Sequence, residues 1–405
     1  MASMTEAATR PAHIPADLVR DFNLYDIPGA SEDVQAAYAR IQRENPDIFW
    51  TPHNGGHWVA TRGEDIVAMQ RDYHRFSHKH IVLPPMPEGT QRQIPLEMDP
   101  PEHPTYRRPL MQFLTPHAVG TLEGKVREVA IAAIERVLPL GGCEFIEDFA
   151  KVLPIHVFLE LVELPLADKA TLLPLAEQAV RGTDAETRLG AQQGMGMYLL
   201  DKVRARRENP GDDLLSKLVT VQVDGALISE VEAISFATLV LFGGLDTVAG
   251  MLGFIARFLA EHDEHRRELV SRLDDEKFLK HAIEELIRRH GIANTARVIA
   301  HDFEYKGVSL RAGDRILPAN VFVGLDPQLN PDPLTVDFHR PAPVHAAFGN
   351  GPHACPGAGL ARREVRIFLE EWLKRIPEFR IAPGTCPVLA SGMVSGVLRL
   401  DLAWN

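Results

Sequence analysis

Cys355 closes the run Phe348-Gly349-Asn350-Gly351-Pro352-His353-Ala354-Cys355, and Pro356-Gly357 leads from it into a helix-periodic segment reaching about Leu373. Glycines at 349 and 351 permit tight backbone turns beside a bulky object. Pro356 suits a first-turn position, where its missing N–H costs little. A sulfur at a helix N-terminus meets free amides and positive partial charge, which favour the thiolate. Such a thiolate can serve as nucleophile, redox thiol or metal ligand. An inert buried cysteine would need neither the glycine turns nor the helix start.

A second group is Leu241-Phe242-Gly243-Gly244-Leu245-Asp246-Thr247-Val248, where Asp246 is the sole charge between Glu232 and Arg257. Two glycines in a helix interior cost roughly 1 kcal/mol each, so the helix is expected to bend there or to admit something against its backbone. Thr247 can return a hydrogen bond to a carbonyl one turn earlier, widening the groove. Asp246, if buried, needs a partner. Glu285 and Arg288 share one helix face, three residues apart, a spacing that alone more often marks a solvated surface pair. In Asp99-Pro100-Pro101-Glu102-His103, Asp99 and Glu102 read as a capping box. His103 and Arg107 then lie four apart, suited to grip one anion together.

The elements that must carry these groups are mostly helical. Patterns predict helices over about 105–137, 144–162, 166–206, 212–221, 229–262 and 274–290. A hairpin is expected from HDFEY and GVSL, a strand from AGDRILPAN, and a β-rich last thirty residues. No linker divides the 405 residues, so a single domain is expected over 1–405, with 1–18 a loose polar arm. The net charge of −12 argues against nucleic acid or an anionic membrane as partner. Only three cysteines without paired spacing fit a reducing, cytoplasmic setting. The apolar stretch around Asp246 is long enough to span a bilayer, but a mid-span carboxylate favours a buried central helix.

Phe-x-x-Gly-x-His-x-Cys-x-Gly, starting at Phe348, resembles the haem-binding loop of the cytochrome P-450 family. The resemblance implies a mainly α (α+β) fold, with a large helical part and a small β-rich part. It implies haem b bound through Cys355 as axial iron ligand, in the loop begun by Phe348 and Gly349; thiolate donation favours O–O cleavage. His353, His103, Arg107 and Arg297 match propionate-binding positions. Asp246 and Thr247 resemble the acid–alcohol pair of the distal helix, which implies that the acid relays protons from solvent and the alcohol steadies the iron-bound peroxo group. Glu285-x-x-Arg288 matches the family's buried pair, with Arg340 in VDFHR as its third member, and LDPQLNPDPLTVDF resembles the meander. Amides following the cysteine normally draw electron density from the sulfur, and Pro356 has none to offer. A lower reduction potential than that of a Pro356→Leu variant is therefore expected, and equal potentials in a redox titration would refute it.

Within the family, GGHWVATRG, GGLDTV, EELIRR, LARRE and SGMVSGV are similar to the camphor 5-monooxygenase type. That type is soluble, bacterial and cytoplasmic, and draws electrons from NADH through a flavoprotein reductase and a [2Fe–2S] ferredoxin. Arg107, Arg108, Arg362 and Arg363 are expected to form a basic face for the ferredoxin, with Ala342 replacing a basic residue of that surface. The pocket implied by the resemblance comprises Val82, Gln91, Leu239, Phe242, Ala293, Met393 and Val394. Residues 78–98 hold no Tyr, and Gln91 stands where camphor enzymes carry the ketone-binding phenol. Phe242 is bulkier and Ala293 smaller than their counterparts. A terpenoid or norisoprenoid, such as an ionone-like ketone, is expected in preference to camphor, with O2 as co-substrate. An H2O2-driven peroxygenase and a non-catalytic haem sensor are the rival readings, and neither needs the Asp246–Thr247 pair.

Overall fold

A computed structural model describes residues 7–405. Its helices are α1 (Val34–Glu44), α2 (Gly63–Arg71), α3 (His103–Phe113), α4 (Pro116–Thr121), α5 (Glu123–Val137), α6 (Val152–Leu161), α7 (Lys169–Arg181) and α8 (Ala185–Glu208). They continue as α9 (Leu214–Val219), α10 (Glu230–Leu245), α11 (Thr247–Glu261), α12 (Asp263–Ser271), α13 (Glu276–Arg289), α14 (Asn320–Leu325) and α15 (Ala358–Arg375). Long periodic segments are thus cut where local chemistry stops a helix. Pro116 begins α4 with Thr115 as its cap, and Asp184 caps α8 after the turn 182–184. Ser229 and Glu232 form a full capping box at α10.

Five strands form the main sheet in the order Ile48–Thr51, His57–Ala60, Arg315–Pro318, Arg297–Ile299, Phe76–Ser77. The expected hairpin joins Phe303–Tyr305 to Val308–Leu310. Near the C-terminus, Val388–Ala390 pairs with Gly396–Arg399, and the loop between them turns back toward the sheet. One apolar cluster packs this sheet with α5, α11, α13 and α15, and a second fills the space among α6 to α10. The combined α10–α11 rod is long and apolar enough to cross a membrane, yet its most apolar window is 72% buried within the protein.

Two expectations are corrected. The segment predicted as a loose arm packs onto the body from residue 8, where the Ala8 amide donates to the Pro52 carbonyl, and Ile14 is a core residue. Apolar residues spaced among prolines made that docking possible without any periodicity to announce it. The capping box at Asp99 and Glu102 does not form. Asp99 instead accepts from the Ser77 hydroxyl and the His78 amide, while Glu102 pairs with Arg92.

Candidate active site

The cysteine loop is built as its glycines require. Gly349 and Gly351 adopt φ of 67° and 69°, which β-carbon-bearing residues rarely tolerate. A Cβ on Gly351 would also strike the Gln70 carbonyl at the end of α2. The Cys355 amide donates to the Phe348 carbonyl over 2.7 Å, closing the loop. The Arg362 guanidinium stacks 4.5 Å from the Phe348 ring centroid, steadying its base. Burial raises the thiol pKa, and the Gly357 and Ala358 amides with Arg107 and Arg362 oppose the rise. The helix-start amides act as the sequence suggests, but desolvation outweighs them. The Cys355 side chain is accessible, although enough protein surrounds it for desolvation to dominate its pKa.

Beside this loop lies a cluster of basic groups without anionic partners. His353 stacks on His78 at 3.5 Å and abuts His103 at 4.1 Å between ring centroids. His103 Nε2, His78 Nδ1, both nitrogens of His353 and Arg297 Nε are all buried without a hydrogen-bond partner. Burial and the neighbouring cations lower all three imidazole pKa values, that of His103 to about 4, and burial brings Arg297 to about 9. Asp99, the nearby acid, is already engaged by Ser77 and His78. Orphaned buried polar nitrogens of this kind are costly, and two carboxylates would accept from their N–H groups and favour protonation of the imidazoles. A planar group with two carboxylates and a metal open to a thiolate therefore fits the residues present. Arg107, expected beside His103, donates to the Ala354 carbonyl next to the cysteine. His78 was missed in the sequence because no spacing rule connects it to His103 or His353.

The apolar rod breaks at Asp246, with φ −120° and ψ −30°, so that α10 ends at Leu245 and α11 starts at Thr247. The Thr247 hydroxyl donates to the Gly243 carbonyl over 2.9 Å. Asp246, 2% exposed, lies 2.8 Å from Arg181 Nη2 at the end of α7. The contact is an ion pair whose angle falls short of a hydrogen bond, leaving Asp246 Oδ2 and Arg181 Nη1 unsatisfied. Arg181 had no signal in the sequence, being 65 residues away and on another helix. Its guanidinium fits only because Gly396 has no side chain.

The two glycines divide the possible roles. A Cβ on Gly243 would meet nothing within 4 Å, whereas one on Gly244 would come inside 3.0 Å of the Phe158 ring. Gly244 thus serves close helix packing, and Gly243 leaves the backbone open beside Thr247. Gly244→Ala is expected to destabilise the protein by about 1–3 kcal/mol, visible as a lowered Tm. An unchanged melting curve would contradict this division.

The triad at Glu285 forms in full: Arg288 donates twice at 2.7 Å, and Arg340 Nε approaches both oxygens at 3.1 Å. Among the pocket candidates, Ala293 and Val394 meet in a β-bridge, and the Met393 carbonyl accepts from the Asn294 amide. Val82 and Leu239 are half-buried. Two candidates are placed elsewhere. Gln91 is exposed and donates to the Val231 carbonyl, because its loop is tied by Ser235 onto the start of α10. Phe242 is buried in the second apolar cluster. The basic face is also altered: Arg362 pairs with Glu284 at 2.6 Å, and Arg363 pairs with Glu123. Two of the four guanidinium groups predicted to await a partner are thus paired within the protein, while Arg107 and Arg108 form no ion pair among the described residues.

Comparison with known proteins identifies the class. The family described as cytochrome P450 matches residues 198–398. A probable cytochrome P450 127A1 of Sinorhizobium fredii is 34% identical over 97% of this chain and 96% of its own. The chain belongs to the cytochrome P450 family and is a haem-thiolate monooxygenase with haem b as cofactor. Solved structures of CYP101J2 and CYP101C1 are 37% and 38% identical, each with TM-score 0.88 over 98% of this chain and 100% of theirs. A vitamin D3 dihydroxylase of Streptomyces griseolus is 32% identical over 76% of both chains.

Proposed function

We propose that this monooxygenase hydroxylates a small hydrophobic terpenoid or norisoprenoid, with Cys355 as the residue that would ligate the haem iron and Asp246 and Thr247 handling protons. Electrons come from a [2Fe–2S] ferredoxin reduced by an NADH-dependent flavoprotein. The haem, when bound, activates O2 and inserts one oxygen atom into a C–H bond. His78, His103, His353 and Arg297 would hold its carboxylates, Arg107 adding charge near the cysteine. The observation that carries the reading is the helix break that sets a buried acid, tethered by Arg181, directly before a hydroxyl bonded to a backbone carbonyl. With its own proton held by the Gly243 carbonyl, the Thr247 oxygen is left to accept a hydrogen bond and so to hold a proton at the site. Asp246, held beside Thr247 by Arg181, would relay protons to the site by exchanging that ion pair for contact with solvent. Apolar Val82, Leu239, Ala293, Met393 and Val394 would exclude water around the substrate.

The test is the fate of electrons in the ferredoxin-driven reaction. Thr247→Ala should still consume NADH but yield mainly H2O2 in place of hydroxylated product. Asp246→Asn should lower kcat by roughly 10²-fold or more, the range of general acid–base contributions. Retained coupling and rate in both variants would remove the proton-handling assignment. Substrate choice is read separately, by the shift of the ferric Soret band across a terpenoid and norisoprenoid panel.

A further inference from the structure

Six arginines are less than 10% exposed: Arg188, Arg266, Arg288, Arg289, Arg297 and Arg340. Four have carboxylate partners: Arg266 with Asp263 and Glu378, Arg289 with Asp33, and Arg288 and Arg340 with Glu285. Arg297 belongs to the cluster that suits the haem carboxylates. Arg188 is left over. It is 2% exposed, on the first turn of α8, and forms no ion pair among the described residues. Its Nη1 donates to the Leu83 carbonyl over 2.8 Å and its Nη2 to the Tyr25 hydroxyl, while Nε has no partner at all. Burial alone lowers its pKa to about 10, so it is a cation at neutral pH with no charge opposite.

Its partners neighbour segments that carry residues of the proposed substrate pocket. Leu83 follows Val82, and Ile81 accepts from the Ala296 amide beside Arg297. Tyr25, whose hydroxyl donates to the same Leu83 carbonyl over 2.6 Å, packs its ring against Gly392, the residue before Met393 and Val394. The stem of Arg188 lies against Gly182 in the turn between α7 and α8. Arg188 therefore bonds directly beside the pocket candidate Val82 and, through Tyr25, is linked to the segment of Met393 and Val394, with no charge to neutralise its guanidinium.

We propose that Arg188 is an anion-binding subsite of the pocket, so that the preferred substrate is an apolar body bearing a carboxylate. A carboxylate would take the free Nε–H and an unused Nη–H side-on, the geometry guanidinium groups favour. The Tyr25 hydroxyl can add a third donor by turning from Leu83. The inference rests on the small-hydrophobic-substrate reading and narrows it.

The ferric holoenzyme is titrated with two compact probes of like shape, adamantane-1-carboxylate and 1-adamantyl methyl ketone, following the Soret shift at pH 7. The carboxylate is expected to bind at least about tenfold more tightly than the ketone. Arg188→Met should abolish that preference while leaving ketone affinity within about threefold, and Arg188→Lys should retain most of it. Equal affinities in the unaltered protein would overturn the proposal, and that comparison stands whether or not the Met variant folds. Equal weakening of both probes by Arg188→Met would instead make Arg188 a structural latch. If neither probe shifts the spectrum, the small-hydrophobic-substrate reading fails, and this inference with it.

Discussion

Cys355→Ser is expected to abolish the red-shifted thiolate-type spectrum of the reduced protein treated with carbon monoxide. Turnover should fall by more than the roughly 10–100-fold carried by residues that merely support a ligand. Serine keeps the size and the loop: the amide bond to Phe348 and the turns at Gly349 and Gly351 do not involve the side chain. What it removes is a sulfur whose negative charge the Gly357 and Ala358 amides and the Arg107 and Arg362 guanidinium groups support. Serine oxygen holds its proton far more tightly. Neither remaining cysteine can substitute. Cys143 lies on the strand Gly142–Glu144, where burial and the carboxylates of Asp148 and Glu144 push its pKa to about 12. Cys386 is exposed, beyond the turn at Thr385. An unchanged carbon monoxide spectrum in the serine variant would refute the ligand assignment.

Glu285→Ala is expected to cost about 3–5 kcal/mol of stability, the range for removing one partner from a buried ion pair, and to yield little haem-loaded protein. Glu285 is fully buried, and its loss leaves Arg288 and Arg340 charged without a counter-ion. The damage would spread beyond the pair. Glu285 accepts from the Asp337 amide over 2.9 Å. Arg288 also binds the carbonyls of Gly324, Pro333 and Thr335, and Arg340 those of Pro331 and Thr335. Those bonds shape the meander that delivers the chain to Phe348 and the cysteine loop. Since whole proteins are stable by only about 5–15 kcal/mol, a loss of this size should be plain in thermal unfolding and in haem content per chain. A Tm within a degree of the unaltered protein would show that the triad is dispensable.

The two predictions concern features that were readable to different degrees. The cysteine loop was legible because its chemistry is contiguous: glycine turns, a proline and a helix start lie within ten residues. The Thr247 bond to Gly243 was legible for the same reason, being one helical turn long. The Glu285–Arg288 spacing was visible, yet its burial was not, since the same spacing serves a surface pair equally well. Gly244 and Gly243 looked alike in the sequence and differ only in what packs against them. The capping box at Asp99 was misread because Ser77 and His78, distant in the chain, compete for the same carboxylate.

Local covalent order alone was enough to determine the start of α10 near Ser229, the tight turns before Cys355 and the hydroxyl anchored on Gly243, since each involves neighbours within one or two turns. Only tertiary packing decided that Arg181 meets Asp246, that His78 joins His103 and His353, that Arg362 and Arg363 pair with Glu284 and Glu123, and that Arg188 is buried without a counter-charge. Charge pairing inside a protein depends on which helices lie side by side, and that is set by the summed burial of apolar surface over the whole chain, a property no short stretch of residues carries.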